Sequence, residues 1–233
     1  MVVKKISKKD NNIGLYMQRI FAIMFGAVGL TALICYLTIY MGGLSLFFTP
    51  SGVSPLYYIV VFGAFGLSIY AQVRAFSLKP STAILLLAIY SGLIGFGMAP
   101  FIFSVLKVNP VSIFYAFVIA SLMFGCMALF GYKTLKNLSF LGVFLQMGMI
   151  GLILVSVFSI FFPIGSSFTT IICLFGVLIF ALFTAYDIQN LKLAYSEMSD
   201  DLQKNQLAVL GALHLYISFI AMFRYVLQLL DRR

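Results

Sequence analysis

Charged residues are scarce in this chain of 233 residues. Asp, Glu, Lys and Arg together make up 9% of it, whereas soluble domains carry about 25%. Hydrophobic residues make up 63%, and the mean hydropathy is +1.10. This composition excludes an ordinary soluble domain and indicates an integral membrane protein.

Acidic residues are the rarest of the charged types. No Asp or Glu occurs between Asp10 and Asp187, and Asp187 follows a long apolar run. A lone acid at the end of a membrane helix either faces water at the interface or is a buried charge with a partner. Acids within or at the edge of a membrane favour the second interpretation, so Asp187 is the first candidate functional residue.

The formal net charge of +9 raises the question of a nucleic-acid partner. The basic residues, however, stand singly or in pairs at the ends of apolar runs and do not line one face. This distribution is typical of residues that anchor membrane topology. The expected surroundings are therefore membrane lipids, and no nucleic-acid partner is expected.

Cysteine and histidine are too few to form a recognisable site. The three cysteines, Cys35, Cys126 and Cys173, have no CxxC spacing, so we expect small apolar packing residues and no structural disulfide. His214 is the single histidine and has no second metal ligand at a known spacing. His214 and Ser218 lie one helical turn apart, but nothing supplies an oxyanion site. We expect no enzyme and no cofactor, and these two side chains to satisfy polar needs between helices.

Apolar runs separated by breakers predict seven membrane-spanning helices in one domain. Pro100 is expected to kink or end the third span, and Ser196 to Gln206 has the composition of a soluble loop. Small residues at helical spacing indicate a compact bundle. The predicted spans are about 20–41, 56–74, 80–101, 111–132, 138–162, 167–189 and 207–230, preceded by a basic tail over 1–19 and followed by a short tail over 231–233.

The basic residues also predict the orientation. With the N-terminus in the cytoplasm, the outer loops of the first six helices carry only Lys107, and every other basic residue before the seventh helix lies inside. A seventh full span would place Arg232 and Arg233 outside. The last helix is therefore expected to be tilted, partial or re-entrant.

In this topology the second span ends at Arg74 and the sixth at Asp187, both on the cytoplasmic side. A charge at membrane depth is less costly when it has a partner, which favours a salt bridge between the two. The alternative is that Arg74 extends to lipid headgroups and Asp187 faces water.

Several runs of the sequence together resemble the Bax inhibitor-1 family in its bacterial YccA-like branch, over roughly residues 15–230. They are the run 123–139 with its Phe-Gly and Gly-Tyr-Lys-Thr segments, the run 179–189 with Tyr186 and Asp187, the run 211–216 with His214, and the stretch 17–36 with Thr31. The resemblance implies an all-α, polytopic seven-helix bundle in which the other six helices surround the last one.

The resemblance also implies a pH-sensitive calcium leak, in which two facing acids share protons and one latches onto an arginine of helix two. By position, Asp187 corresponds to the helix-six acid, Arg74 to the arginine and Ser218 to the second acid. Two close carboxylates titrate as a pair because like charges repel, and a carboxylate beside a hydroxyl lacks this effect. The acid dyad is therefore modified here, with His214 as a substitute titrating group and Asp187 as a possible calcium ligand.

Two functional classes remain open for a protein expected in the bacterial inner membrane. The first is a passive leak for calcium or another cation. The second is a non-conducting modulator of a membrane protease of the FtsH type, which would act through Met1 to Gln18 and the segment Ser196 to Gln206. An enzyme is the third and least favoured class.

Overall fold

The computed structural model describes residues 2–49, 52–74, 77–134, 136–162, 165–198 and 200–231. In these residues the structure has seven long helices, and a short helical turn and a pair of two-residue strands follow the first of them. The all-α fold class is therefore confirmed. The helices are α1 Val2–Tyr40, α2 Pro55–Val73, α3 Pro80–Val108, α4 Val111–Lys133, α5 Ser139–Phe161, α6 Ser166–Glu197 and α7 Asp201–Leu230.

Each of the seven helices found in the described residues contains a segment long and apolar enough to cross a membrane. Large apolar side chains are exposed along them, as in Phe62 of α2, Leu122 of α4 and Phe144 of α5. Such a surface is stable against lipid and unfavourable in water. The chain is therefore a multi-pass membrane protein.

Several helices extend beyond the predicted spans. α1 begins at Val2, although its apolar spanning part begins at Asn12. α6 continues to Glu197 and α7 begins at Asp201, so most of the predicted loop from Ser196 to Gln206 is helical. That segment contains neither Gly nor Pro to stop a helix.

Pro100 does not end its helix, because α3 continues through it to Val108. Proline removes only one backbone hydrogen bond. In an apolar bundle every other peptide group can be satisfied only within the helix, which favours continuing it over breaking it. The third helix therefore ends at Val108, seven residues after the predicted end of the third span at 101.

The α1–α2 connection combines a helical turn, Gly43–Leu46, with an antiparallel pair of strands, β1 Phe48–Thr49 and β2 Gly52–Val53. Phe47 is buried against the ring of Phe96, with centroids 4.5 Å apart, which fixes the connection to α3. α2 then starts where Ser54 caps the amide of Leu56 and proline occupies the first turn.

The helices form two compact units. Unit 1 is Met1–Lys107 with Ala194–Tyr216, and unit 2 is Val108–Leu193 with Ile217–Arg233. Unit 1 thus contains α1 to α3 and the first half of α7, and unit 2 contains α4, α5, most of α6 and the second half of α7.

α7 is the most buried helix. In its most apolar window 67% of the residues are buried, compared with 11% to 39% for the other six helices. Tyr216, Phe219 and Met222 are among its fully buried side chains. The central position that the resemblance implies for the last helix stays a prediction.

Small residues mark the closest helix contacts inside each unit. In unit 1, a Cβ added to Gly95 of α3 would collide with the backbone of Thr31 in α1. In unit 2, a Cβ added to Gly131 of α4 would collide with the backbone of Ala185 in α6. Helices in lipid pack through such close approach, because lipid supplies no hydrophobic drive between them.

Candidate functional site

The polar residues near the end of α6 lie on two different faces of the helix. At 100° per residue, Ala185, Gln189 and Lys192 fall within a narrow arc, while Asp187 points to the opposite side. The first face packs on α4, since Ala185 lies against Gly131. The second face carries the candidate acid.

Gln189 and Lys192 on the first face hold the α4–α5 connection. The side-chain oxygen of Gln189 accepts a hydrogen bond from the amide of Leu138 at 2.8 Å, and its Nε2 donates to the carbonyl of Lys136 at 2.8 Å. Lys192 Nζ donates to the carbonyl of Tyr132 at 3.0 Å and lies 4.9 Å from the centre of the Tyr132 ring. A cation on the last carbonyls of a helix also complements its dipole. α6 therefore fixes the loop that follows α4.

Asp187 on the second face is partly buried. Within the described part of unit 2, no side chain donates a hydrogen bond to its carboxylate or forms an ion pair with it. Taking a carboxylate out of water costs several kcal/mol unless a partner compensates for it. In the described part of unit 2, therefore, neither a hydrogen-bond donor nor a cation compensates the negative charge of Asp187.

Ser218 stands at about the level of Asp187 in unit 2. The ring of Phe180 in α6 stacks on that of Tyr225 in α7, with centroids 6.2 Å apart. Asp187 follows Phe180 by seven residues, and Ser218 precedes Tyr225 by seven, so each residue returns to the face of its partner after two turns. Helices joined by a short connection run antiparallel, and Ser218 thereby lies within about one turn of Asp187. Ser218 is 3% exposed.

Arg74 and His214 both belong to unit 1. Arg74 directly follows α2 and its side chain is exposed, while His214 is partly buried one turn before Ser218 on α7. Asp187 and Ser218 belong to unit 2. The salt bridge between Arg74 and Asp187 stays a prediction, as do the roles of Ser218 and His214.

A resident metal site finds little support in these residues. No group of three or more His, Cys, Asp or Glu side chains comes together in the part of the chain that the structure describes. Calcium takes six to eight oxygen ligands, and Asp187 with Ser218 offers a small part of that set. Asp187 as a calcium ligand stays a prediction, and it suits an ion in transit better than a bound cofactor.

Unit 1 contains a buried group of hydrogen bonds around Thr31 that the sequence did not reveal. We call it the polar node. The hydroxyl of Thr31 in α1 lies 2.6 Å from that of Tyr216 in α7 and 3.0 Å from the carbonyls of Ala27 and Ser91. A hydroxyl has one proton to donate, so when Thr31 donates to a carbonyl, Tyr216 is the donor between the two hydroxyls. The node joins α1, α3 and α7 deep in the bundle, and the only signal for it in the sequence is a threonine inside a long apolar run.

The fold and these polar positions define a class: a seven-helix membrane protein whose candidate acid lies on its sixth helix. Residues 14–233 match the family model described as "Inhibitor of apoptosis-promoting Bax1". The chain belongs to the Bax inhibitor-1 family, which confirms the resemblance found in the sequence.

Similar proteins occur in several bacteria. An uncharacterized protein of Caulobacter vibrioides is 38% identical over 179 residues, which cover 76% of this chain and 70% of that protein. The uncharacterized protein RP147 of Rickettsia prowazekii is 30% identical over 225 residues, covering 96% and 92%. Inner membrane protein YbhL of Escherichia coli is 34% identical over 158 residues, covering 67% and 66%.

Proposed function

We propose that this chain is a passive leak for calcium or a similar cation in a bacterial inner membrane, with its N-terminus in the cytoplasm. The name of the E. coli relative supports the location, and the inner position of nearly all basic residues supports the orientation. No catalytic activity is proposed.

The observation that carries the proposal is the environment of Asp187. It ends an apolar stretch of α6, is partly buried, and receives no hydrogen bond from those residues of unit 2 that the structure describes. A carboxylate at membrane depth gains most from a partner that compensates its charge, and a cation or a guanidinium can do this. Asp187 is therefore assigned as the group that interacts with the ion.

Arg74 is assigned as the partner of Asp187 in the closed state. Its side chain is exposed at the end of α2, and the expected topology places it on the cytoplasmic side with Asp187. A proton on Asp187 removes the charge that attracts the guanidinium. The leak should therefore open as the pH falls.

Calcium flux into liposomes containing the purified protein and a trapped indicator tests this assignment. Arg74→Ala is expected to raise the flux about tenfold near neutral pH, because a closing interaction of about 1.4 kcal/mol corresponds to a tenfold change in population. Asp187→Asn is expected to abolish the rise of flux on acidification.

Two matched variants control for charge removal alone. Lys79→Ala removes an exposed cation from the same connection as Arg74, and Glu197→Gln neutralises an exposed acid on the same helix as Asp187. Both should behave like the unmodified protein. Absence of calcium flux in every variant at every pH would refute the leak.

A protease modulator is the second candidate, supported by contacts inside unit 1. Tyr16 of α1 packs on Tyr195 of α6 with ring centroids 4.4 Å apart. Arg19 of α1 donates a hydrogen bond to Asn205 of α7. Each contact joins a residue of one segment assigned to protease binding to the residue that borders the other segment, so the two segments lie beside each other in unit 1.

Co-purification with a membrane protease tests the second candidate. The protease should be recovered with the full chain and lost when residues 2–11 are deleted, while the spanning part that begins at Asn12 is kept. Equal recovery with and without these residues would count against the modulator.

A further inference from the structure

Within unit 2, α6 packs on α5 through a face distinct from its α4 face. Tyr186 lies over Gly142 of α5, where an added Cβ would come within 2.8 Å of Cζ in the tyrosine ring. Two turns earlier, Ile179 lies over Gly148 of the same helix, where an added Cβ would come within 2.8 Å of the isoleucine Cδ1. At 100° per residue, these two positions of α6 fall within about 20° of each other. α5 therefore contacts one narrow face of α6.

The direction of Asp187 follows from these two faces. The α5 face at Tyr186 lies about 60° around the helix from Gln189 on the α4 face, and Asp187 lies about 100° beyond Tyr186. Asp187 thereby shares the side on which Phe180 stacks on Tyr225 of α7. A helix that is held on two faces cannot turn about its axis without breaking contacts on one of them. The contacts with α4 and α5 therefore fix the side to which Asp187 points.

Gln189 makes the most directional of these contacts. It is 7% exposed, and its Oε1 and Nε2 bond to the amide of Leu138 and the carbonyl of Lys136, each at 2.8 Å. Hydrogen bonds depend on angle as well as on distance, and a buried polar group that loses its partner is costly. These two bonds therefore favour the one rotation of α6 at which both can form.

We infer that Gln189 is a positioning residue for Asp187. Its two bonds to the α4–α5 connection keep α6 at the rotation that directs the carboxylate towards α7. The positioning itself rests on the contacts within unit 2, and its effect on ion flux rests on the leak proposed above. Methionine in place of Gln189 has a similar length and makes neither bond, so this end of α6 can then turn.

Thiol labelling reads the position of residue 187 without any flux. In a chain that carries Cys126→Ala and Asp187→Cys, the two remaining native thiols are buried, and a cationic methanethiosulfonate reports the access of the new thiol. Adding Gln189→Met should change the labelling rate by about threefold or more, because access governs the reaction of a thiol together with its ionisation. Gln146→Met replaces an exposed glutamine of α5 and should leave the rate unchanged. Equal rates with and without Gln189→Met would overturn the positioning role.

Calcium flux into liposomes tests the consequence for the leak. The ratio of flux at acidic pH to flux at neutral pH should fall by about twofold or more in Gln189→Met, because a misdirected carboxylate finds its closing partner less often and flux at neutral pH rises. A residue that only stabilises the fold would lower both fluxes and leave their ratio unchanged, which would refute a role in the leak. Adding Gln189→Met to Asp187→Asn should have no further effect on the ratio.

Lys192→Met is the second variant in both measurements. It removes one bond on the same face of α6, from Nζ to the carbonyl of Tyr132 at 3.0 Å. It should change the labelling rate and the flux ratio in the same direction as Gln189→Met and by a smaller factor, and it decides the question if Gln189→Met does not fold. Absence of flux in the unmodified chain would refute the leak, and the labelling rates would still decide whether Gln189 positions residue 187.

Discussion

Valine in place of Gly131 is expected to lower the free energy of unfolding of unit 2 by more than about 3 kcal/mol. A Cβ at this position would lie 2.8 Å from the Cα of Ala185 and even closer to its carbonyl oxygen. Overpacking a core costs about 1–3 kcal/mol where side chains can move aside. Here the obstacle is the backbone of α6, so the two helices must separate.

Thermal unfolding in detergent, followed by the loss of the monodisperse peak on size exclusion, measures this effect. Gly125→Val is the matched control, because Gly125 lies on the same helix and no atom would lie within 4 Å of its Cβ. Valine has a slightly higher helix propensity than glycine, so the control should unfold at the same temperature or higher. Equal unfolding temperatures for the two variants would contradict the close contact between α4 and α6.

Aspartate in place of Ser218 is expected to move the opening of the leak by about one pH unit or more towards higher pH. The stacking of Phe180 on Tyr225 brings position 218 to the level of Asp187. Two neighbouring carboxylates repel when both are ionised, so the pair retains a proton over a wider pH range than one acid alone. If Arg74 closes the leak as proposed, that proton weakens its attraction to the acid pair, and flux should begin at a higher pH.

The measurement is calcium flux into liposomes across a series of pH values. Ser218→Asn is the matched control, since it has nearly the shape of aspartate without its charge, and its pH response should equal that of the unmodified protein. Adding Asp187→Asn to the aspartate variant should remove the shift. An unchanged midpoint in Ser218→Asp would show that positions 187 and 218 do not interact.

The number and approximate position of the helices could be predicted because membrane spans leave long apolar runs separated by Gly and Pro. Their ends could not, since a helix can continue well past its apolar part, and no Gly or Pro marks where α6 stops. This explains why α1 begins at Val2 and why α6 reaches Glu197. Pro100 does not end α3, because a membrane helix tolerates proline in its interior.

The candidate acid was visible from the sequence because Asp187 interrupts a stretch free of other acids. The contacts around it were not visible. Gln189 bonds to main-chain groups 51 and 53 residues away, and Thr31 meets Tyr216 across 185 residues. Amide and hydroxyl groups find such partners only through the packing of the helices, and no spacing in the sequence encodes that packing.

The three thiols differ in exposure, since Cys35 and Cys173 are buried whereas Cys126 is exposed on α4. A thiol reacts as its thiolate, and the reagent must also be able to reach it. A small apolar methanethiosulfonate nitroxide should therefore attach at Cys126 alone. The unmodified chain thus offers one spectroscopic reporter on its lipid-facing surface without any engineered cysteine.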